Sequence, residues 1–298
     1  MTKLELIEKA LYSCATIHQP HALKAYLSAK YLYERFGKDE NIWAKTSELI
    51  DQSELNVAAI FSDVIKASKF SDSRIHRVLE RGIYPAAYQA MFQWYETKGF
   101  QDIFLHYINI ASANREYLSH NVTILLAFNC ISAELDNKQI PAFLDRFTEF
   151  STSTFSGNDT KVSNGGIVGV DKVLDSCINQ FDFYAHNLIT LTWILRCKSN
   201  LTKVQYESML SNLYMQANSP LADPGDAVDP EIWGQCHQKY DSSVFVDTIK
   251  GLVFKFTSNL HQVTLADALC FLQSIFPDRT EELGRIAKYH CHLLEKSN

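Results

Sequence analysis

The sequence predicts an all-α fold, a multi-helix bundle, and leaves open an α-solenoid-like N-terminal part. Three observations carry this. Eleven Gly and seven Pro in 298 residues make about 6%, half the roughly 12% of an average protein, which disfavours turn-rich β sandwiches and barrels. Apolar residues recur at three- and four-residue intervals along nearly the whole chain, the period of an amphipathic helix. No run of alternating β-branched residues is long enough for a sheet.

Taken in order, Leu4, Ile7, Ala10 and Leu11 define a first helix. A second, carrying Leu23, Tyr26, Leu27, Tyr31 and Phe36, follows the Gln19-Pro20 turn and ends at Gly37. Further helices are expected over 41–51, 54–69, 74–82, 85–98, 100–113, 119–136, 139–151, 170–179, 182–198, 202–217, 243–258, 262–275 and 279–295. Ser53 and Ser119 stand where an N-cap would, and Pro85 and Pro141 where a first turn tolerates proline. The short helix pairs before residue 115 fit a stacked array, although no fixed repeat period links them.

Two stretches break the pattern. Residues 151–169 hold four glycines among Ser and Thr and read as a linker or mobile loop between helical regions 1–150 and 170–298, which pack as one unit. Residues 217–231 hold three prolines and Asp223, Asp226 and Asp229, a structured turn or lid whose carboxylates suit turn chemistry better than a cation site.

A hydrophobic fraction of 46% and a net charge of -6 describe a globular chain without the basic footprint of a nucleic-acid or membrane binder. Its start is amphipathic, not an apolar signal, and its longest apolar run falls short of a membrane span, so a cytoplasmic protein is expected. Seven cysteines without a CxxC pair read as reduced core thiols. Asn164-Gly165-Gly166-Ile167-Val168-Gly169 imitates a phosphate loop but has no strand before it, and reads as a linker or cap. Signatures of α/β-hydrolases, P-loop NTPases, HExxH metalloproteases and EF-hands are absent.

The histidines are the strongest local signal. Four of ten have an acid four positions earlier: Asp72 before His76, Asp102 before His106, Glu116 before His120 and Asp182 before His186. That spacing puts both side chains on one helix face, where they can share a metal or the acid can orient the imidazole. Around His76 the charged surroundings favour a solvated pair. His120 and His186 instead open apolar helices with a shared His-Asn start, and Glu116 and Asp182 are their companions. On neighbouring helices they would supply a non-haem iron or manganese site, with Glu116, His120, Asp182 and His186 as ligands. The competing reading makes each a core histidine bonded to backbone. Three other sets make weaker sites: Cys14, His18 and His21 span a helix end, His290-Cys291-His292 cannot converge on one face, and Cys236-His237 is adjacent only in sequence. Aromatics in Phe181-Asp182-Phe183-Tyr184-Ala185-His186 could line a flat ligand's pocket.

This aromatic–His–apolar stretch, continuing through Asn187-Leu188-Ile189-Thr190-Leu191, resembles a helix of the questin oxidase-like proteins. His120-Asn121 with the apolar helix after it resembles their His-Asn segment. The resemblance covers a small part of the chain and leaves residues 1–110 without a counterpart. It implies an all-helical redox enzyme acting on an aromatic, polyketide-like substrate. Asp182-x3-His186 is also similar to haem-oxygenase-like di-iron proteins, with an incomplete ligand set and no Glu-x-x-His motif.

The expectation is therefore a helical oxidoreductase. His120, His186 and Tyr184 are its catalytic residues, iron or manganese its metal, and Phe183 and Trp193 its contacts to a small organic substrate. The alternative is a helical-repeat protein without chemistry that binds a peptide or protein partner.

Overall fold

The computed structural model describes residues 1–16, 19–58, 60, 69–156, 166–181, 183–221 and 223–296. Among these lie fourteen α-helices and one two-residue antiparallel ladder, in which Ser13 pairs with Asn56 and Cys14 with Leu55. The all-α architecture expected from glycine and proline scarcity is what forms.

Four helices make the centre: α2 (His21–Arg35), α6 (His120–Ser132), α9 (His186–Arg196) and α13 (His261–Ile275). Each packs on two others, α2 on α6 and α13, and α9 on the same pair, which closes a ring. Around it, α1 (Lys3–Leu11) and α3 (Asn41–Ser53) cover α2. Beside α6 stand α5 (Ala86–Ala113) and α7 (Ile140–Phe155), with α4 (Asp72–Glu80) against both. On α9 lie α8 (Val170–Asn179) and α10 (Lys203–Ala217). The short α11 (Pro230–Gln235) packs on α14 (Thr280–Lys296), which with α12 (Ser242–Phe254) covers α13. The N-terminal helices are thus interleaved with C-terminal ones, and among the described residues no solenoid-like N-terminal array forms: α2 is central because it is buried nearly all round, Ala22 through Ala29 without interruption.

Local chemistry explains the boundaries. Thr2 and Glu5 form a capping box at α1, and Thr202 and Gln205 another at α10. Asp241 caps α12 by accepting from the amides of Ser243 and Val244. The separate helices expected over 85–98 and 100–113 meet as α5, interrupted at Gly99, whose φ of 76° leaves the helical region.

Three expectations change. The helix expected over 54–69 does not begin there: Leu55 and Asn56 form the ladder strand, and 59 and 61–68 lie outside the described residues. Ser53 closes α3 instead of opening a helix, and its hydroxyl accepts from the Leu260 amide. The 217–231 stretch, expected as a structured turn or lid, carries a 3-10 turn over Pro224–Asp226 but also opens α11 at Pro230, because proline at a first helical position loses no bond. Two of its aspartates do turn chemistry, and the third makes a long-range contact. Asp223 accepts from Gly225, Asp229 caps α11, and Asp226 accepts from the Tyr117 hydroxyl. The expected loop 151–169 begins later than drawn, since α7 runs to Phe155; residues 157–165 lie outside the described residues.

Candidate metal centre

Each of the four central helices begins with a histidine: His21, His120, His186 and His261 are their first residues. Their N-termini converge, and the imidazoles meet. Ring centroids are 4.9 Å apart for His21 and His120, 5.2 Å for His21 and His261, 5.2 Å for His120 and His186, and 4.7 Å for His186 and His261.

Two of the four starts share one local device. Leu118 and Ser119 precede His120 with φ of 61° and 51°, and Tyr184 and Ala185 precede His186 with φ of 43° and 56°. Two successive left-handed non-glycine residues are costly, roughly 1–2 kcal/mol each, so their repetition marks conformations held by surrounding structure. The following asparagine supplies part of that hold. Asn121 and Asn187 each donate through the side-chain amide to a carbonyl seven residues earlier, that of Asn114 at 3.4 Å and that of Gln180 at 2.7 Å. Gln216 then joins the two turns, accepting from Ser119 Oγ at 3.0 Å and donating to Asn187 Oδ1 at 2.8 Å.

Acceptors behind the rings fix which nitrogen carries each proton. The Phe183 carbonyl can only accept, so His186 Nδ1 donates to it and His186 Nε2 holds the lone pair. His120 Nε2, 3.2 Å away, must then be the donor, which leaves Nδ1 of His120 free to ligate. Asn259 Oδ1 accepts the His261 main-chain amide at 2.9 Å, which identifies it as oxygen, and accepts His261 Nδ1 at 2.6 Å. Glu54 Oε1 accepts the Ala22 amide at 3.0 Å and lies 3.4 Å from His21 Nδ1. Nε2 of His261 therefore carries a lone pair, and Nε2 of both His21 and His261 is buried without a hydrogen-bond partner.

His21, His120 and His261 each offer a donor atom within 4.8 Å of the other two. Nitrogens bound to one ion at about 2.0–2.1 Å stand roughly 3.3 Å apart, so modest ring rotation would bring them into a ligating set. His120 and His261 also have an acceptor behind the ring, His186 and Asn259, the arrangement that orients imidazole ligands in metal sites, and the Glu54 carboxyl stands 3.4 Å behind His21. Burial is the main cause that holds the rings neutral, as ligation requires. It drives His21 down to about 3, and His120, His186 and His261 well below the ordinary imidazole range, with mutual repulsion adding to the effect for the last three.

Other buried polar groups surround the cluster. Lys24, one turn after His21, is fully buried, and its Nζ has no hydrogen-bond partner. Its charge acts on all four histidines, and burial lowers it to about 7. Burial raises Glu54 to about 8, and its Oε2 is unpartnered. Thr123 and Thr190, one turn beyond His120 and His186, bury hydroxyls without partners. Such a concentration of orphaned polar atoms is unusual in a closed core and points to a site built for something other than packing.

The residues expected from sequence divide as follows. His120 and His186 meet, and Phe183 and Tyr184 join them: the Phe183 ring stacks on His186 at 5.7 Å, and Tyr184 lies 5.5 Å from His261. Glu116 turns away, its carboxylate accepting the Asn121 amide at the start of α6. Asp182 lies outside the described residues. Trp193 is buried two turns along α9, 5.4 Å from the Arg196 guanidinium. The other acid–histidine spacings pair elsewhere, Asp72 with Lys98 and Asp102 with the Trp94 indole. Sequence reasoning did not join His21 to His120 and gave no role to His261, Lys24, Glu54 or Asn259. The signal shared by the four histidines, each opening a helix, is spread from position 21 to 261.

Neither family models, curated proteins nor solved structures yield a match to this chain. No helix among the described residues is long and apolar enough to cross a membrane.

Proposed function

We propose that the protein is a metal-dependent helical oxidoreductase of the non-haem type, working in the cytoplasm on a small organic substrate. The observation that carries this reading is the trio His21, His120 and His261, three neutral imidazoles, two of them oriented by His186 and Asn259 and the third backed by the Glu54 carboxyl at 3.4 Å. Three protein ligands leave an open position, as catalytic sites do, whereas structural sites fill all four. An all-imidazole set suits iron better than manganese, which favours carboxylate and water oxygen. Iron held there would supply one-electron redox chemistry.

The chain's own residues then have separate tasks. His21, His120 and His261 bind the ion, and His186 fixes the orientation of His120. Lys24 and the four helix N-termini make the interior electropositive, which favours a substrate bearing an anionic oxygen such as a phenolate. Phe183 and Tyr184 supply flat apolar contact, so hydroxylated aromatic compounds are the class to test first. The same electropositive interior favours one second reading, in which His120 and His186 move protons on an anionic substrate without a metal.

Cobalt(II) titration of metal-stripped protein separates the two, because visible absorption reports coordination. One equivalent should bind, and His21→Ala, His120→Ala and His261→Ala should each weaken binding by more than about 100-fold. Iron-loaded protein should consume dioxygen when hydroxylated aromatics are added. Absence of a stoichiometric cobalt spectrum, with all three variants indistinguishable from the parent, would remove the metal reading.

A further inference from the structure

A second pair of reactive side chains lies at the far ends of the helices that begin with His120 and His186. Cys130 is near the end of α6, and Cys197 is the residue at which α9 stops. Ten or so residues at 1.5 Å each place these thiols about 15 Å from the histidines, outside the candidate metal centre. The two sulfurs are 3.7 Å apart. Of the seven free cysteines, six are buried and Cys130 alone is partly exposed.

Charge around the pair is asymmetric. The Cys130 thiol is held below its usual range, first by the hydrogen bond from Cys197 and then by the positive charges of Arg196 and Lys30; burial and Glu134 oppose them. Cys197 is pushed the other way by its bond to Cys130 and by burial. Arg196 is anchored, its two terminal nitrogens donating to Asp267 at 2.8 and 2.7 Å, and Lys30 pairs with Glu134. The partly exposed Cys130 is thus the more acidic thiol and Cys197 the less acidic one behind it, the division of labour of a reactive and a resolving cysteine.

We propose that Cys130 and Cys197 form a hydroperoxide-reactive dithiol, a redox modification site that closes reversibly to an intramolecular disulfide. The Cys130 thiolate attacks the outer oxygen of a hydroperoxide and breaks the O–O bond. The product is a Cys130 sulfenic acid, and the leaving oxygen takes a proton to become water or an alcohol. Sulfur of Cys197 then attacks the sulfenic sulfur; its proton and the departing hydroxide form water, and the S–S bond closes. Two electrons pass from the thiols to the peroxide, and a dithiol reductant returns them. Closure needs the sulfurs to approach from 3.7 Å to about 2.05 Å, within reach of side-chain rotation. The bond would staple α6 to α9 across a sequence separation of 67 residues.

The test uses the full chain exposed to hydrogen peroxide in its folded state, then alkylated and mapped by mass spectrometry. The expected product is a peptide pair linking Cys130 to Cys197, lost on treatment with dithiothreitol, together with a rise in melting temperature of roughly 5–10 °C. Cys197→Ser should stop at a Cys130 sulfenic acid that dimedone traps, and Cys130→Ser should leave Cys197 unreactive. Cross-links at other cysteines instead, or a wild-type Cys130 that over-oxidises while Cys197 remains a free thiol, would overturn the proposal.

Discussion

His120 Nε2 stands 3.2 Å from His186 Nε2, and the Phe183 carbonyl behind His186 fixes the direction of that hydrogen bond from His120 to His186. His186 therefore acts on the candidate centre through His120, as a positioning residue. Replacing it with Phe keeps a flat ring but removes the acceptor. The expected outcome is a cobalt(II) affinity about 10–100-fold weaker, against a larger loss for His261→Ala. Equal losses from the two variants, by the same titration, would make His186 a ligand in its own right.

Acid should destabilise the metal-free protein. His21 is driven to about 3 and His290 to about 4, while His120, His186 and His261 lie well below their ordinary range, all chiefly by burial. The unfolded chain takes up those protons below about pH 6.5. The unfolded state then binds more protons, so this stability is fully present above about pH 6.5 and lost as the pH falls toward the folded values. Glu54, raised to about 8, and Glu116, raised to about 7, oppose the trend, since burial keeps them protonated in the fold. Five imidazoles outweigh two carboxyls, at roughly 1.4 kcal/mol per pH unit for each unbalanced proton. The midpoint of urea unfolding should be clearly lower at pH 5 than at pH 7. A flat profile would mean that the imidazoles are solvated.

Helical period fixed most of the architecture because it depends on local spacing, and the break at Gly99 was visible in the same way. The strand at Leu55 was not, since two residues carry no period and their pairing depends on Cys14, distant in sequence. Half of the histidine cluster was legible, because His120 and His186 share a His-Asn start that reflects one backbone device used twice. His21 and His261 open their helices without that device. Only the packing of α2 and α13 against each other brings them together. The i,i+4 acids misled for a related reason: Glu116 sits before the left-handed turn, where its carboxylate meets the Asn121 amide instead of the His120 ring.

That turn can be probed by itself. Ala185 is fully buried with φ 56° and ψ 40°. A β-branched side chain is a genuine outlier in this region, so Ala185→Val should cost about 2 kcal/mol or more in urea unfolding. Ala185→Gly relieves roughly 1 kcal/mol of backbone strain and loses little apolar contact, and should remain within about 1 kcal/mol of the parent. A valine variant as stable as the parent would show that Ala185 is not held left-handed.

Lys24 should be a residue that costs stability. Its amine is buried without a hydrogen bond beside four neutral imidazoles, Glu54 alone opposes the burial that disfavours its charge, and a buried charge without hydrogen bonds is among the more expensive features of a core. Lys24→Met keeps the length and removes the charge, so unfolding of the metal-free protein at pH 7 should become harder by about 1–3 kcal/mol. The pH dependence follows from its folded value of about 7 against an ordinary value of 10.5. Between those values the unfolded chain holds the proton and the fold does not, so parental stability rises with pH over that range. The advantage of Lys24→Met should therefore be largest at pH 7 and shrink by pH 9.5. Cobalt(II) affinity should not fall, because a nearby positive charge repels a cation. A destabilised Lys24→Met variant would show that the ammonium has a partner it depends on, and that its place beside the histidines is structural.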